Sequence, residues 1–317
     1  MGTTRKVLKK VAVVVESSAR TYKAPTTRIP YTTFTVNSEY DMIADESIEG
    51  VAASDLPNQG NKKVEGQLAG IVDVLTIAPI LEAAFGAEAG GVYTLPVTEN
   101  TKTLSIVAKD EVKTYKYAGA VIKSIRFRSE TGGRLTFEAD VIAYTESRDD
   151  TAFPEISIEK GTRLIHTHAG GTGYLYIGDQ DDALATGDRQ GLSRVEFGFE
   201  WGFDHDHDNT AQTTLIPLST ANPANLSFQD SRSDTDAYHA WRDARTALQA
   251  AFYYYASATA TLLFEIPNFV ITQAAHTEDD VGRIDCVAAV GRNGIGSSYS
   301  NANMEFVSPI RATLVNS

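Results

Sequence analysis

The residues best suited to chemistry in this sequence lie in one run, Asp204-His205-Asp206-His207-Asp208, which alternates oxygen and nitrogen donors. A His-x-His on a strand presents both imidazoles on one face. The chemistry on offer is metal binding, with Asp204, His205, Asp206 and His207 as candidate ligands. A transition-metal site needs three or four convergent ligands, generally gathered from separate elements. Here they are consecutive and stand where an alternating strand ends. A strand leaving its sheet for water accounts for them, so no metal is expected.

Other candidates carry less. "GTRLIHTHAGG" (Gly161–Gly171) holds His166 and His168 and resembles the opening of the cupin metal motif. The carboxylate expected shortly after the second His is absent. "GRNGIGSS" (Gly291–Ser298) lacks the Lys-Ser/Thr pair of a phosphate loop and does not join a strand to a clear helix. There is no G-x-S-x-G elbow, and the single Cys286 has no supporting context for a nucleophile. No catalytic residue, no cofactor and no metal site is expected. Arg5, Lys6, Lys9 and Lys10 form a basic N-terminal arm, either solvated or docked on an acidic neighbour.

The elements that carry these residues read as strands. Val195, Phe197, Phe199, Trp201 and Phe203 fall at period two, with Glu196, Gly198, Glu200 and Gly202 between them. That is a strand with one covered face. "VIKSIRFRSETGGRLTFEADVIAY" (Val121–Tyr144) predicts a hairpin, with Val121, Ile125 and Phe127 on one face and Thr131-Gly132-Gly133 as the turn. On the return strand Leu135, Phe137, Ala139, Val141 and Ala143 alternate.

Helical signal occurs twice. Leu75–Gly86 has Pro79 placed for a first turn and Gly86 as a stop. Asp234–Phe252 opens on Asp234 or Thr235 as N-cap and sets Tyr238, Trp241, Ala244 and Leu248 on one face.

The order of elements recurs. Alternating strands (31–54, 193–204) lead to a polar loop (55–63, 205–225), a further strand ("KKVEGQLAG", "NLSFQD"), one helix and a paired β-unit (Val121–Tyr144, Leu263–Gly291). The architecture, not the lettering, is duplicated. The junction is expected near Ser147–Glu155, giving units 1–150, with the N-terminal arm, and 151–317, with a C-terminal strand.

Bulk properties agree with a large soluble core. The chain has 317 residues and net charge −13, and one Cys excludes an intrachain disulfide. The first 150 residues hold 18 Lys+Arg against 20 Asp+Glu; the remainder hold 10 against 21. Such a surface repels nucleic acid; the acidity either merely maintains solubility or marks a wall past which DNA must slide without sticking. No apolar run approaches the ~20 residues of a membrane span. The start is basic then apolar, but Val11–Val15 is too short for the roughly 7–15 residue core of a signal peptide, so no export signal is expected.

Several stretches resemble the tail-tube (major tail) proteins of long-tailed bacteriophages, in their two-unit version. They are Val13–Thr32, with its Glu-Ser-then-Tyr-then-Pro opening, Ser47–Gly86, Tyr117–Tyr144 and Glu265–Thr272. The resemblance implies a mainly β fold: two tandem β-sandwich or barrel units, each flanked by one α-helix and a long β-arm or loop. It implies a structural virion protein, not an enzyme, whose sheets pair laterally into stacked rings forming the conduit for DNA ejection. Implied partners are further copies of the chain, tape-measure and tail-terminator proteins, and DNA in passage, with no membrane.

Two units per chain imply a trimeric ring with pseudo-sixfold symmetry in place of the six-chain ring of the single-unit version; a hexamer would require the second half to be an outward decoration. Glu138 and Asp140 are the expected lumen-facing residues if Phe137, Ala139 and Val141 face the core. The rivals are a carbohydrate- or receptor-binding β-sandwich and a cupin-type metal enzyme.

Overall fold

The computed structural model describes residues 10–43, 58–95, 102–156, 164, 174–180, 182–206, 214–216, 224–230, 236–257, 259–276, 283–290 and 308–316. His166, His168, His207, residues 291–298, the N-terminal arm before Lys10 and the caps Asp234 and Thr235 lie outside them. The first strands are β1 (Lys10–Val15), β2 (Thr27–Arg28), β3 (Tyr31–Phe34), β4 (Asn37–Ile43) and β5 (Asn58–Ile71). Helix α1 (Ala78–Phe85) follows, then β6 (Ala87–Ala89), β7 (Val92–Thr94), β8 (Leu104–Lys109), β9 (Thr114–Glu130), β10 (Thr136–Ile142) and β11 (Thr145–Asp149). The second half holds β12 (Tyr174–Asp179), β13 (Leu192–Glu200), β14 (Asp204–Asp206), β15 (Thr214–Ile216) and β16 (Asn225–Asp230). It ends with α2 (Asp236–Ala244), β17 (Leu248–Ser257), β18 (Ala260–His276), β19 (Ile284–Val290) and β20 (Arg311–Asn316). The fold is mainly β and antiparallel, and all strands except the β14–β15 ribbon join one hydrogen-bonded network.

One pairing scheme occurs twice. In the first half, β8 lies between β1 and the first part of β9, which also pairs β11. The second part of β9 pairs β10, then β5, then β3 and β4. In the second half, β17 lies between β12 and the first part of β18, which also pairs β20. The second part of β18 pairs β19, then β16, then β13. The irregularities coincide too. Lys123 is the extra residue in β9 and Thr272 in β18. The same sequence spacing that separates these two separates Ala120 from Phe269 and Tyr117 from Ile266, which flank each strand's other break.

β9 passes from one sheet to another, and within it Gly119 has a left-handed φ of 65° and a Cβ there would lie 2.8 Å from that of Tyr144. In β18 the corresponding break in pairing holds Pro267, which has no N–H for the ladder. The core is continuous through both halves: Phe127 meets Phe264 at 4.8 Å and stacks on Phe197 at 5.5 Å. Such aromatic pairs contribute about 0.5–1.5 kcal/mol beyond their burial.

The expected strand at 195–203 and the hairpin at 121–144 are present. Pro79 stands in the first turn of α1, and Gly86 ends it at φ 85°. Three readings need correction. Ile122, not Val121, shares the inner face with Ile125 and Phe127, because the bulge at Lys123 inverts the alternation. The second helix stops at Ala244, since Arg245 takes a φ of 51° and Leu248–Ser257 is held as a strand between β12 and β18. Asn58–Asn61, read as loop, belongs to β5, where pairing with β4 overrides polar composition. The stretch Ser147–Glu155, where the junction is expected, begins inside β11, which pairs with β9.

Candidate functional site

β9 and β13 pair directly, so the sheets of the two halves form one surface. On its inner side lie Phe127, Phe137, Val195 and Phe197, all buried. On its outer side the registers align polar residues in rows. One row runs Thr136, Arg128, Glu196, Ser227 across β10, β9, β13 and β16; another runs Glu138, Arg126, Gly198, Asn225.

Glu138 and Asp140 are exposed on this outer side, opposite buried Phe137, Ala139 and Val141. Gln67 Nε2 donates to Glu138 at 2.6 Å, and Ser124 Oγ donates to Asp140 at 2.6 Å. Three arginines join them: Arg126 pairs with Glu196 at 3.3 Å, Arg194 with Glu196 at 2.8 Å, and Arg128 with Glu130. The Glu130 carboxylate raises the Arg128 guanidinium pKa through their hydrogen bond. A groove of about 420 Å³ follows the same face, between Asp140, Arg126, Glu196 and Ser227. Of its carboxylates, Glu196 is tied to arginines, Glu138 to an amide and Asp140 to a hydroxyl. Sequence reasoning found the two acids but missed Arg126, Arg128, Arg194 and Glu196. Their period-two spacing in "RFRSE" and "RVEFGFE" was the available signal.

The junction of the halves is tight. A Cβ at Gly198 would lie 2.3 Å from the Ile125 carbonyl oxygen, so only glycine fits. Beyond it, Trp201 N–H donates to the Lys123 carbonyl at 2.7 Å, and Trp201 Nε1 donates to the Ala84 carbonyl near the end of α1 at 2.7 Å. Below it, the Tyr254 and Ser129 hydroxyls share a hydrogen bond of 2.7 Å, and burial pushes the Tyr254 pKa up.

The candidate metal ligands are placed differently. Asp204, His205 and Asp206 form β14, a short strand paired with β15 (Asp204 opposite Ile216), so the alternating run continues as a ribbon. His207 lies outside the described residues. Among the described residues no three His, Cys, Asp or Glu side chains gather as metal ligands. A second cavity, about 470 Å³, is lined by Tyr174, Tyr176 and Tyr253, with the Arg189 guanidinium 3.7 Å over the Tyr174 ring. Among the described residues no helix is long and apolar enough to cross a membrane.

No curated protein matches the chain. The family model described as phage tail tube protein matches residues 8–238, from before β1 into α2. The chain therefore belongs to the phage tail tube protein family, as a structural component of the virion tail.

Proposed function

We propose that three copies of this tail-tube protein close into a ring of six quasi-equivalent β-units, and that the rings stack into the conduit for DNA. The units correspond to residues 1–150 and 151–317. The observation that carries this reading is the recurring pairing scheme, joined edge to edge inside one chain by β9 and β13. An open sheet edge is a hazard until it is paired, and a closed ring of like junctions removes the edges. A heterologous contact of this kind closes into rings when its rotation permits.

The polar face carrying Glu138 and Asp140 lines the bore. Its three arginines, Arg126, Arg128 and Arg194, are already committed to Glu196 and Glu130, which leaves acid to face passing phosphate. Contact with DNA is therefore repulsive and transient. The protein acts as a wall and catalyses no reaction; Asp204–His207 hold no metal. A tape-measure protein inside the bore and a terminator at its end complete the set of partners.

Negative-stain microscopy of the purified protein tests the reading. Rings or tubes with sixfold modulation are expected without added ligand. Discrete single chains at all concentrations would contradict it.

A further inference from the structure

The junction inside the chain leaves its two counterparts unused. β13 meets β9 with one edge and β16 with the other, and Ser193 is its extra residue. β3 and β4 meet β5 in the equivalent manner, with Thr32 as the extra residue. The second part of β18 corresponds likewise to the second part of β9. Among the described residues, neither Val36–Tyr40 nor Gln273–His276 has a strand on its second edge, although the Tyr117 hydroxyl donates to the Val36 carbonyl at 2.8 Å.

We propose that these edges are the two halves of one interface between copies: Gln273–His276 of one chain pairs antiparallel with Val36–Glu39 of the next. The in-chain template is the pairing of Ser124–Phe127 with Phe197–Glu200. The shared bulges set the register. Glu39 stands opposite Gln273, Ser38 opposite Ala274, Asn37 opposite Ala275, and Val36 opposite His276. The inference rests on the ring reading above and names the contact that closes it.

Two further observations point to a second copy as the occupant. Trp201 is 1% exposed because α1 covers it, whereas Tyr40, its counterpart beside the open edge, is 40% exposed. α2 precedes β17 and β18 as α1 precedes β8 and β9, so Tyr40 seats on the Ala244 end of the neighbour's α2. The Ala274 carbonyl, counterpart of the Ile125 carbonyl that faces β13, receives Arg242 Nη1 at 3.2 Å. An arginine thus blunts this edge in the single chain, a known device against premature pairing, and the backbone of the next copy takes over that role. One position departs from the template: Asn37 stands where the tight junction has Gly198, so the contact between chains is wider there by the room a Cβ needs.

Cross-linking tests the register. The counterpart of Glu39–Gln273 is Glu200–Ser124, flanked by the hydrogen-bonded Trp201–Lys123 pair, so its side chains are close. Assembled E39C/Q273C protein should oxidise to covalent ladders that stop at three chains. E39C/A274C, whose second thiol lies on the opposite face, should not cross-link, nor should the wild type with its buried Cys286. Tubes that form while E39C/Q273C stays unlinked would overturn the interface and leave the tube reading standing. Wild-type protein that never leaves the single-chain state would overturn both. Hydrogen exchange on the wild type covers a variant that fails to assemble. Amides of Val36–Tyr40 and Gln273–His276 should slow at least about tenfold on assembly, and unchanged exchange there would overturn the proposal.

Discussion

Gly198→Ala is the sharpest perturbation of the in-chain junction. The added methyl would meet the Ile125 carbonyl oxygen at 2.3 Å and the Arg126 Cα at 3.0 Å, both backbone atoms that no rotamer change can move. To reach ordinary contact the strands must separate by about 1 Å at this point. N–H···O bonds of about 2.9 Å then stretch beyond useful range on either side of the alanine. Losing two such bonds costs about 1–3 kcal/mol, the range expected for overpacking of a filled interior.

At about 2.1 cal/mol/K per residue, each kcal/mol lowers the melting temperature of a chain of 317 residues by about 1.5 °C. A drop of roughly 2–5 °C is therefore expected by scanning calorimetry. Gly187→Ala is the control, because a Cβ there meets nothing within 4 Å, and its effect should stay within about 0.5 kcal/mol. If Gly198→Ala melts with the wild type while Gly187→Ala behaves alike, the tight junction is not a source of stability and the reasoning fails.

Other outcomes follow from the same structure. Glu16 is buried and accepts hydrogen bonds from Thr103 Oγ1 at 2.6 Å, Ser105 Oγ at 2.7 Å and the Gly119 and Arg20 amides at 2.9 Å, so Glu16→Ala should cost about 3 kcal/mol or more in urea unfolding. The Asp149 carboxyl is drawn down to about 2 by Lys116 and Thr151. A lowered folded-state value gives stability that is full above the ordinary 3.8 and is lost as pH falls through about 2. Acid-unfolding curves of wild type and Asp149→Asn should differ above that window and converge below it. Burial pushes the Cys286 thiol up to about 12, so a thiol reagent at pH 8 should label it only after denaturation.

Much of the fold was legible where local pattern and tertiary fate agree. Phe197, Phe199 and Trp201 alternate because one face of β13 is covered, and Pro79 and Gly86 bracket α1 through their own backbone preferences. The overrun of α2 shows the limit. "LQAAF" suits a helix locally, yet β12 and β18 hold it as strand, and Arg245 supplies the break. The bulge at Lys123 has no compositional sign, so the face of Val121 was misjudged. The polar rows were half legible: period two gave Glu138 and Asp140, but their alignment with Arg126 and Glu196 depends on the β9–β13 pairing. That pairing joins segments far apart in sequence, and alternation within a strand says nothing of which strand lies beside it.

A helical reconstruction of the assembled tube tests the account most directly. It should show three chains per ring, with the sheet of β4, β5, β10, β9, β13, β16, β19 and β18 passing from chain to chain without a gap. Six full chains around the ring, or a ring whose β4 and β18 edges face solvent, would contradict it.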